Sequence, residues 1–256
     1  LRNTVAQYKV SEEDREEYFG ELERWINNGW LVPVESNKNG IILLMCVKQE
    51  AKGKVRPVLD FREVNKFIHS HTMDTIAVSE SLRKWRKMSG NCKIIDLKNA
   101  YLQIHVEKDL WEYQRVFIND CPYQLTRLGF GLASAPKIMN RILDFILETQ
   151  NVFKKVVSHY VDDLIVDENI ISVSEVRNHL ENYGLICKEP EKISTTTVLG
   201  LQMYLKQNVL MWKRTNNINI AEDQVMTKER IYSICGKLNG HYPVCGWLRV
   251  SCSYLK

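Results

Sequence analysis

Apolar residues along the chain follow helical spacing in some stretches and strand-like spacing in others. Helices are predicted at 11–29, 79–88, 134–150, 172–184 and from 227 into the C-terminal tail. Hairpins are predicted at 40–48 with 54–61, at 113–128, at 152–168 and at 198–212. A continuous apolar run at 92–97 predicts a buried strand. Helices beside hairpins indicate an α+β fold, with an antiparallel sheet backed by helices.

Capping residues mark the ends of several predicted helices. Ser11 precedes an acidic first turn, and Ser134 precedes the helix 134–150. Gly184 is placed to end the helix 172–184, because glycine accepts the left-handed backbone found there. The apolar stripe predicted to be buried in 134–150 consists of Ile138, Ile142, Phe145 and Ile146.

Composition limits the classes of protein that fit. The chain has 256 residues, of which 45% are hydrophobic and 26% charged, and this suits one large globular domain or two to three small ones. No apolar run approaches the roughly 20 residues of a membrane span, and no secretory signal is visible, so no membrane association is expected. Seven cysteines without a CxxC motif indicate reduced thiols. Because the sequence opens on Leu1, it is expected to be part of a longer polypeptide.

Charge is distributed unevenly along the chain. The net charge is only +4, but 81–88 and 211–214 each combine several cations with a tryptophan. Either stretch fits a solvated surface or a nucleic-acid contact in which cations meet phosphates and the tryptophan stacks nearby. Asp167 and Glu168 are expected to be solvated.

Adjacent carboxylates occur in the sequence HYVDDLIVDE at 159–168. Asp162 and Asp163 fall at the tip of a predicted hairpin, and Asp96 ends the predicted buried strand. If these strands are neighbours in one sheet, the three carboxylates meet at one edge and raise one another's pKa. A bound divalent cation relieves that repulsion, and Mg²⁺ prefers oxygen ligands. A polar turn is the alternative, because Tyr-x-Asp-Asp alone is a weak pattern.

Further sequence blocks accompany the acidic pair in a characteristic order. They are KVRPVLDFREVNK (54–66), IIDLKNAYLQI (94–104), LTRLGFGLASAPKIM (125–139), YVDDL (160–164), YGLICKEPEK (183–192) and VLGLQM (198–203). With these blocks the chain resembles reverse transcriptases, most closely those of long-terminal-repeat retrotransposons of the Gypsy and BEL types. The resemblance runs from about Gly29 to Gly200 and more loosely to the end.

The resemblance implies a right-hand polymerase fold. Fingers are expected at 1–71 and 104–134, the palm at 72–103 and 135–205, and a partial thumb at 206–256. The implied activity is RNA-directed and DNA-directed DNA synthesis, in which a primer is extended with dNTPs by a mechanism that uses two metal ions.

Catalytic residues are carried over from the family's motifs. Two Mg²⁺ ions, with Mn²⁺ as a substitute, are expected on Asp96, Asp162 and Asp163 and on the backbone carbonyl of Leu97. Lys192 matches the general acid that protonates pyrophosphate. Lys188 is the alternative, because the lysine after the Gly-Leu motif is displaced by one residue.

Substrate-binding residues follow from the same resemblance. Tyr101 matches the steric gate against a ribose 2′-hydroxyl, and Phe130 lines the nucleotide pocket where retroviral enzymes have glutamine. Arg56 matches the arginine that grips the triphosphate, since its planar fork binds phosphate oxygens bidentately. The remaining expected contacts are Lys48 and the N–H groups of Asn99 and Ala100 for phosphates, and Leu199 and Gly200 for the primer grip.

The expected partners are an RNA template, a DNA template–primer duplex and dNTPs. The chain is expected to belong to a larger Pol polyprotein with RNase H and integrase, located in a retrotransposon particle in the cytoplasm or in the nucleus. Two alternatives remain open: RNA-directed RNA synthesis, against which Tyr101 argues, and an inactive descendant that only binds nucleic acid or a protein partner.

Overall fold

A computed structural model describes residues 6–35, 40–49, 53–69, 76–214, 225–239, 241, 245–246 and 248–254. The helices in these ranges are α1 (Glu12–Asn27), α2 (Arg62–Asn65), α3 (Ile76–Trp85), α4 (Ala135–Glu148), α5 (Asn151–Val156), α6 (Val173–Asn182), α7 (Lys228–Asn239) and α8 (Leu248–Ser253). The strands are β1 (Leu31–Pro33), β2 (Leu43–Gln49), β3 (Lys54–Asp60), β4 (Cys92–Asp96), β5 (Arg115–Ile118), β6 (Cys121–Leu125), β7 (Val157–Tyr160), β8 (Asp163–Asp167), β9 (Glu191–Lys192), β10 (Thr197–Val198), β11 (Leu201–Lys206) and β12 (Val209–Arg214).

The strands pair antiparallel throughout the described ranges. The sheet orders are β1-β6-β5, β2-β3, β7-β8-β4-β9 and β10-β11-β12. Helices and antiparallel sheets together confirm the predicted α+β class. The predicted hairpins over 40–61, 113–128 and 198–212 are also confirmed, by β2 with β3, β5 with β6 and β11 with β12.

The chain divides into two compact units. The first unit contains Leu1–Met73, Leu97–Phe145 and Gly184–Ile186. The second unit contains Asp74–Asp96, Ile146–Tyr183 and Cys187–Lys256. The boundaries expected for fingers, palm and partial thumb stay a prediction.

The core of the first unit forms where α1 packs against the strands of that unit. Ser11 caps α1 by accepting a hydrogen bond from the Asp14 N–H, and Gly29 follows the helix with a φ of +67°. The buried side chains of this core are Tyr18, Leu22, Trp25, Leu31, Ile42, Leu44, Val55, Leu59, Phe61, Val116, Ile118 and Leu125.

The core of the second unit joins α3 to strands of two sheets. Its buried side chains are Leu82, Trp85, Cys92, Ile94, Ile165, Ile193, Val198, Leu201, Met203 and Leu210. Trp85 is only 2% exposed and packs edge-on against Trp212 with ring centroids 6.1 Å apart. Of the two interpretations of residues 81–88, stacking on nucleic acid does not fit Trp85, because its ring is buried.

Three further expectations are corrected by the structure. Residues 151–156 form helix α5 instead of a strand, because Phe153 and Val156 lie three apart on one buried face. Of the stripe predicted on α4, Ile146 is buried but Phe145 is 67% exposed. The side chains that α4 buries are Ala135, Met139, Leu143, Ile146 and Leu147.

Asp167 is buried, although solvation was expected. It accepts hydrogen bonds from the Ser89 N–H at 2.8 Å and from the Ser89 hydroxyl at 2.5 Å. These hydrogen bonds satisfy the carboxylate away from water. In the described ranges, no helix has both the length and the apolar character that crossing a bilayer requires.

Candidate active site

Three aspartates lie at the same end of neighbouring strands of the β7-β8-β4-β9 sheet in the second unit. Asp96 ends β4 and stands directly opposite Asp163, which begins β8. Directly opposed residues in an antiparallel pair have Cα atoms roughly 4.5–5.5 Å apart. Asp162 is the second of the two residues that connect β7 to β8, and Tyr160 pairs with Asp163 across that turn. The predicted meeting of Asp96 with the hairpin pair is confirmed at the level of the strands.

The turn that carries Asp162 has an unusual backbone. Val161 has a φ of +57°, and Asp162 has no positive φ. A positive φ at the first central residue alone is the pattern of a type II′ turn, in which glycine is normal at that position. A β-branched residue is strained there. Leu164, at 0% exposure, and Val157, at 2%, anchor the flanking strands, so the buried strands hold the strained turn in place.

Burial and neighbouring negative charges both disfavour the ionised form of Asp163. The pKa of this carboxyl group is raised to about 6, chiefly by burial and then by the neighbouring charges of Asp162 and Asp96, while Lys188 opposes the shift. A carboxylate in this position favours a bound cation, because a positive charge stabilises its ionised form.

Lys188 is the cation that the structure places at this edge. Its ammonium group donates a hydrogen bond to Asp96 Oδ2, and its backbone N–H donates to the Asp96 carbonyl oxygen at 2.8 Å. Lys192 lies in β9 opposite Lys93, which is three residues before Asp96 on β4. Of the two lysines considered from the sequence, Lys188 is therefore the one in contact with a candidate metal ligand.

The donor set of this edge suits a hard divalent cation. Carboxylate oxygens are the ligands that Mg²⁺ prefers, and the pKa of Asp163 is raised by burial first and then by the charges of Asp162 and Asp96. Within the described ranges, no three His, Cys, Asp or Glu side chains are already gathered into a metal-binding group. The carboxylates therefore fit the ion by their chemistry and strand positions. To bind the ion, Asp96 would release the ammonium group of Lys188. Leu97, whose carbonyl was predicted as a ligand, follows directly and is 1% exposed.

In the first unit, Tyr101 and Phe130 form an aromatic pair. Their ring centroids are 5.7 Å apart with the planes inclined by 48°. Tyr101 is 9% exposed, whereas Phe130 is 54% exposed. The pair therefore combines a buried ring with an accessible one, and the two rings can form one wall of a small-molecule site.

The backbone before Tyr101 is left-handed at consecutive residues. Asn99 has a φ of 56° and Ala100 a φ of 23°, and a 3₁₀ turn follows at Ala100–Gln103. Successive N–H groups in a turn can form a concave anion site. Gln103 braces this segment, since its amide nitrogen donates to the carbonyls of Lys98 and Ile186 and its amide oxygen accepts from the Ile186 N–H.

The two predicted phosphate contacts on the β2–β3 hairpin differ in environment. Arg56 lies on β3 and is exposed. Lys48 lies on β2, and its ammonium group pairs with Asp14 of α1 at 3.2 Å. Lys48 is thus engaged in holding α1 to the hairpin, whereas Arg56 is the more accessible cation.

Leu199 and Gly200 form the tight turn between β10 and β11 in the second unit. Both have positive φ, 52° and 70°, as type I′ hairpin turns require. A Cβ on Gly200 would lie 2.9 Å from Arg214 Nη1, so glycine also permits close packing at this turn. The predicted primer-grip pair is therefore a defined backbone turn.

Comparison with known families agrees with these features. The sequence profile described as reverse transcriptase (RNA-dependent DNA polymerase) matches residues 38–225, and a domain family described as of unknown function matches residues 227–256. The chain belongs to the reverse transcriptase family.

Similar proteins extend this assignment. The reverse transcriptase chain is 32% identical over 200 residues to the retrovirus-related Pol polyprotein from transposon opus of Drosophila melanogaster. That match covers 74% of the chain and 19% of the polyprotein, so the chain spans about a fifth of this relative.

A solved structure shows the same fold. It is that of the foamy viral protease-reverse transcriptase dRH in complex with double-stranded DNA, with a TM-score of 0.73 and 21% identity. The match covers 93% of the present chain and 42% of the foamy viral chain.

The structure of this reverse transcriptase chain also identifies residues that sequence reasoning missed. Gln103 and Asn65 hold backbone segments next to predicted nucleotide-binding residues, through hydrogen bonds to residues up to 83 and 68 positions away. Such distant partners leave no local sequence signal. Both residues lie inside sequence blocks that carried the family resemblance, Asn65 in LDFREVNK and Gln103 in NAYLQI.

Proposed function

We propose that the chain is the polymerase region of a Pol polyprotein and extends a primer with dNTPs on RNA or DNA templates. The observation that carries this proposal is the pairing of Asp96 with Asp163, with Asp162 in the adjoining turn. Family membership and similarity to a transposon Pol polyprotein support it. The partners are a template–primer and dNTPs, and the polyprotein carries further enzymes such as RNase H and integrase.

In this mechanism, Asp96, Asp162 and Asp163 would hold divalent cations at this end of the strands. Two bound Mg²⁺ ions, or Mn²⁺ in their place, would supply the positive charge that activates a primer 3′-hydroxyl and stabilises a leaving pyrophosphate. Arg56 binds the triphosphate through its guanidinium group. Tyr101 and Phe130 occupy the space next to the sugar and exclude a ribose 2′-hydroxyl.

In this mechanism, a lysine near the carboxylates donates the proton to pyrophosphate. Lys188 is the stronger candidate, because its ammonium group contacts Asp96, and Lys192 is the alternative. Replacing each with glutamine and measuring single-nucleotide incorporation separates them. The acid variant should lower kcat by about 10²-fold or more, with a smaller change in KM for dNTP.

Primer extension on an RNA template with dNTPs and Mg²⁺ tests the proposed function. The wild-type chain should extend the primer, and Asp162→Asn should reduce the rate by at least about 10³-fold while it remains folded. Asp120→Asn is the matched control, because Asp120 is an exposed acid in the β5–β6 turn of the first unit. Wild-type rates in Asp162→Asn would contradict the metal-binding role. Salt-sensitive template binding by an inactive wild type would support a non-catalytic descendant.

Sugar selection distinguishes DNA synthesis from RNA synthesis. Tyr101→Ala removes the ring that faces Phe130 and should raise incorporation of NTPs relative to dNTPs. Tyr101→Phe keeps the ring and should keep most of the discrimination. If Tyr101→Ala leaves the ratio unchanged, Tyr101 is not the gate.

A further inference from the structure

Phe130 lies in a segment that has little regular structure of its own. The segment Gly129–Ala133 precedes α4, and within it Leu132 N–H donates to the Gly129 carbonyl at 3.3 Å. Phe130 is 54% exposed, so packing of its own ring does not fix its position. Contacts of the neighbouring residues must therefore determine where the ring stands.

One side of this segment is fixed by close packing. A Cβ on Gly129 would lie 2.2 Å from the Phe61 ring, and a Cβ on Gly131 would lie 3.1 Å from the Leu59 carbonyl oxygen. Gly131 also has a φ of +106°, which only glycine adopts readily. The backbone on either side of Phe130 therefore lies directly against the end of β3.

The other constraint is the side-chain amide of Asn65. Its Nδ2 donates to the Gly131 carbonyl at 3.0 Å, and its Oδ1 accepts from the Ala133 N–H at 2.8 Å. Asn65 is itself anchored, because its backbone N–H donates to the Phe61 carbonyl at 2.7 Å. One planar amide thus fixes two backbone groups of the Phe130 segment, and an amide is the side-chain group that can both donate and accept in this geometry.

We propose that Asn65 is a positioning residue for sugar selection: its amide holds the Gly129–Ala133 segment so that Phe130 stays against Tyr101. The inference rests on the proposed polymerase function and on the sugar-facing role of these two rings. Without the amide, the Gly131 carbonyl and the Ala133 N–H turn to water, and Phe130 samples positions that admit a 2′-hydroxyl.

Single-nucleotide incorporation with dNTP and with the matching NTP tests this proposal. Asn65→Ala should raise KM for dNTP about tenfold. It should also lower the ratio of kcat/KM for dNTP to kcat/KM for NTP about tenfold, as expected from the loss of one or two hydrogen bonds. The value of kcat for dNTP should change by less than about threefold, because the carboxylates are untouched.

Matched variants separate positioning from a general structural role. Asn65→Asp keeps the acceptor for Ala133 but places a carboxylate oxygen against the Gly131 carbonyl oxygen, so it should shift the sugar ratio at least as much, and it serves as the test if Asn65→Ala does not fold. Asn91→Ala removes an exposed amide pair with Asn169 and should change neither KM nor the ratio. In a Phe130→Ala background, Asn65→Ala should add nothing to the loss of sugar selection.

The outcomes are distinguishable. An unchanged sugar ratio in folded Asn65 variants, or additive effects of Asn65→Ala and Phe130→Ala, would overturn the positioning role even if thermal stability falls. A wild-type chain that extends no primer would contradict the proposed function itself.

Discussion

The carboxyl group of Asp163 couples the candidate active site to folding. Its pKa is raised from 3.8 to about 6, first by burial and then by Asp162 and Asp96. Because the folded pKa lies above the unfolded one, this group adds stability below about pH 4 that is lost as the pH rises through 6. In EDTA, the unfolding free energy of the wild type should therefore fall between pH 4 and 7 relative to Asp163→Asn.

Chemical denaturation of both proteins across this pH range measures that difference. Parallel stability curves for the two proteins would contradict the raised pKa. Mg²⁺ added at pH 7 should recover more stability in the wild type than in Asp163→Asn, since the ion stabilises the ionised carboxylate.

Val161 provides a second test at the scale of one residue. Its φ of +57° is strained for a β-branched side chain and ordinary for glycine. Val161→Gly should therefore leave the unfolding free energy unchanged or raise it by up to about 1 kcal/mol, since relief of strain offsets the flexibility of glycine. Val166→Gly, at a fully buried position of β8, should lower it by about 3 kcal/mol or more. A loss above about 1 kcal/mol in Val161→Gly would show that the turn is unstrained.

At the scale of elements, α6 offers a matched pair of serines. Ser172 accepts a hydrogen bond from the Glu175 N–H, and the Glu175 side chain accepts from the Ser172 N–H, which completes a capping box. Ser172→Ala should lower the unfolding free energy by about 1 kcal/mol. Ser174→Ala, in the exposed first turn, should leave it unchanged or slightly higher, since alanine favours helices. If denaturant titrations give the same change in unfolding free energy for Ser172→Ala and Ser174→Ala, the capping role is contradicted.

Local signals in the sequence were sufficient for most elements and for the acidic edge. Each of these signals acts over a few residues: the cap Ser11, the hairpin turns and the apolar run before Asp96. The helix, hairpins and strand that they predict therefore depend little on the rest of the fold. Placing Asp96 beside Asp163 needed one more step: the strand that ends with Asp96 and the strand that begins with Asp163 had to be neighbours in one sheet.

The failed predictions for Phe145 and Asp167 depend on tertiary contacts. The position of Phe145 depends on which stripe of α4 is covered, and apolar residues on two adjoining stripes made the periodicity ambiguous. Asp167 is buried because Ser89, 78 residues away, satisfies its carboxylate. Likewise the contact of Lys188 with Asp96 spans 92 residues. Spacing along the chain carries no information about partners so distant.

At the scale of the whole molecule, the small net charge of +4 conceals a local concentration of cations. On α3 and just after it, Arg83, Lys84, Arg86 and Lys87 are exposed, while Trp85 between them is buried in the core of the second unit. In the described part of the chain no ion pair joins these four side chains to a carboxylate. Their charge is therefore available to a polyanion, or it is simply solvated.

Salt dependence of template–primer binding decides between these two roles. Each phosphate contact contributes about −0.9 to the slope of log K against log salt on duplex DNA. Replacing Arg83, Lys84, Arg86 and Lys87 together with alanine should weaken binding and make the slope shallower by up to about three to four. Lys154→Ala is the control, because its ammonium group is already paired with Glu148 at 2.7 Å. An unchanged slope, measured by fluorescence anisotropy across a salt series, would assign the cluster to a solvated helix face, and the cations that hold the template–primer would then have to lie on other elements.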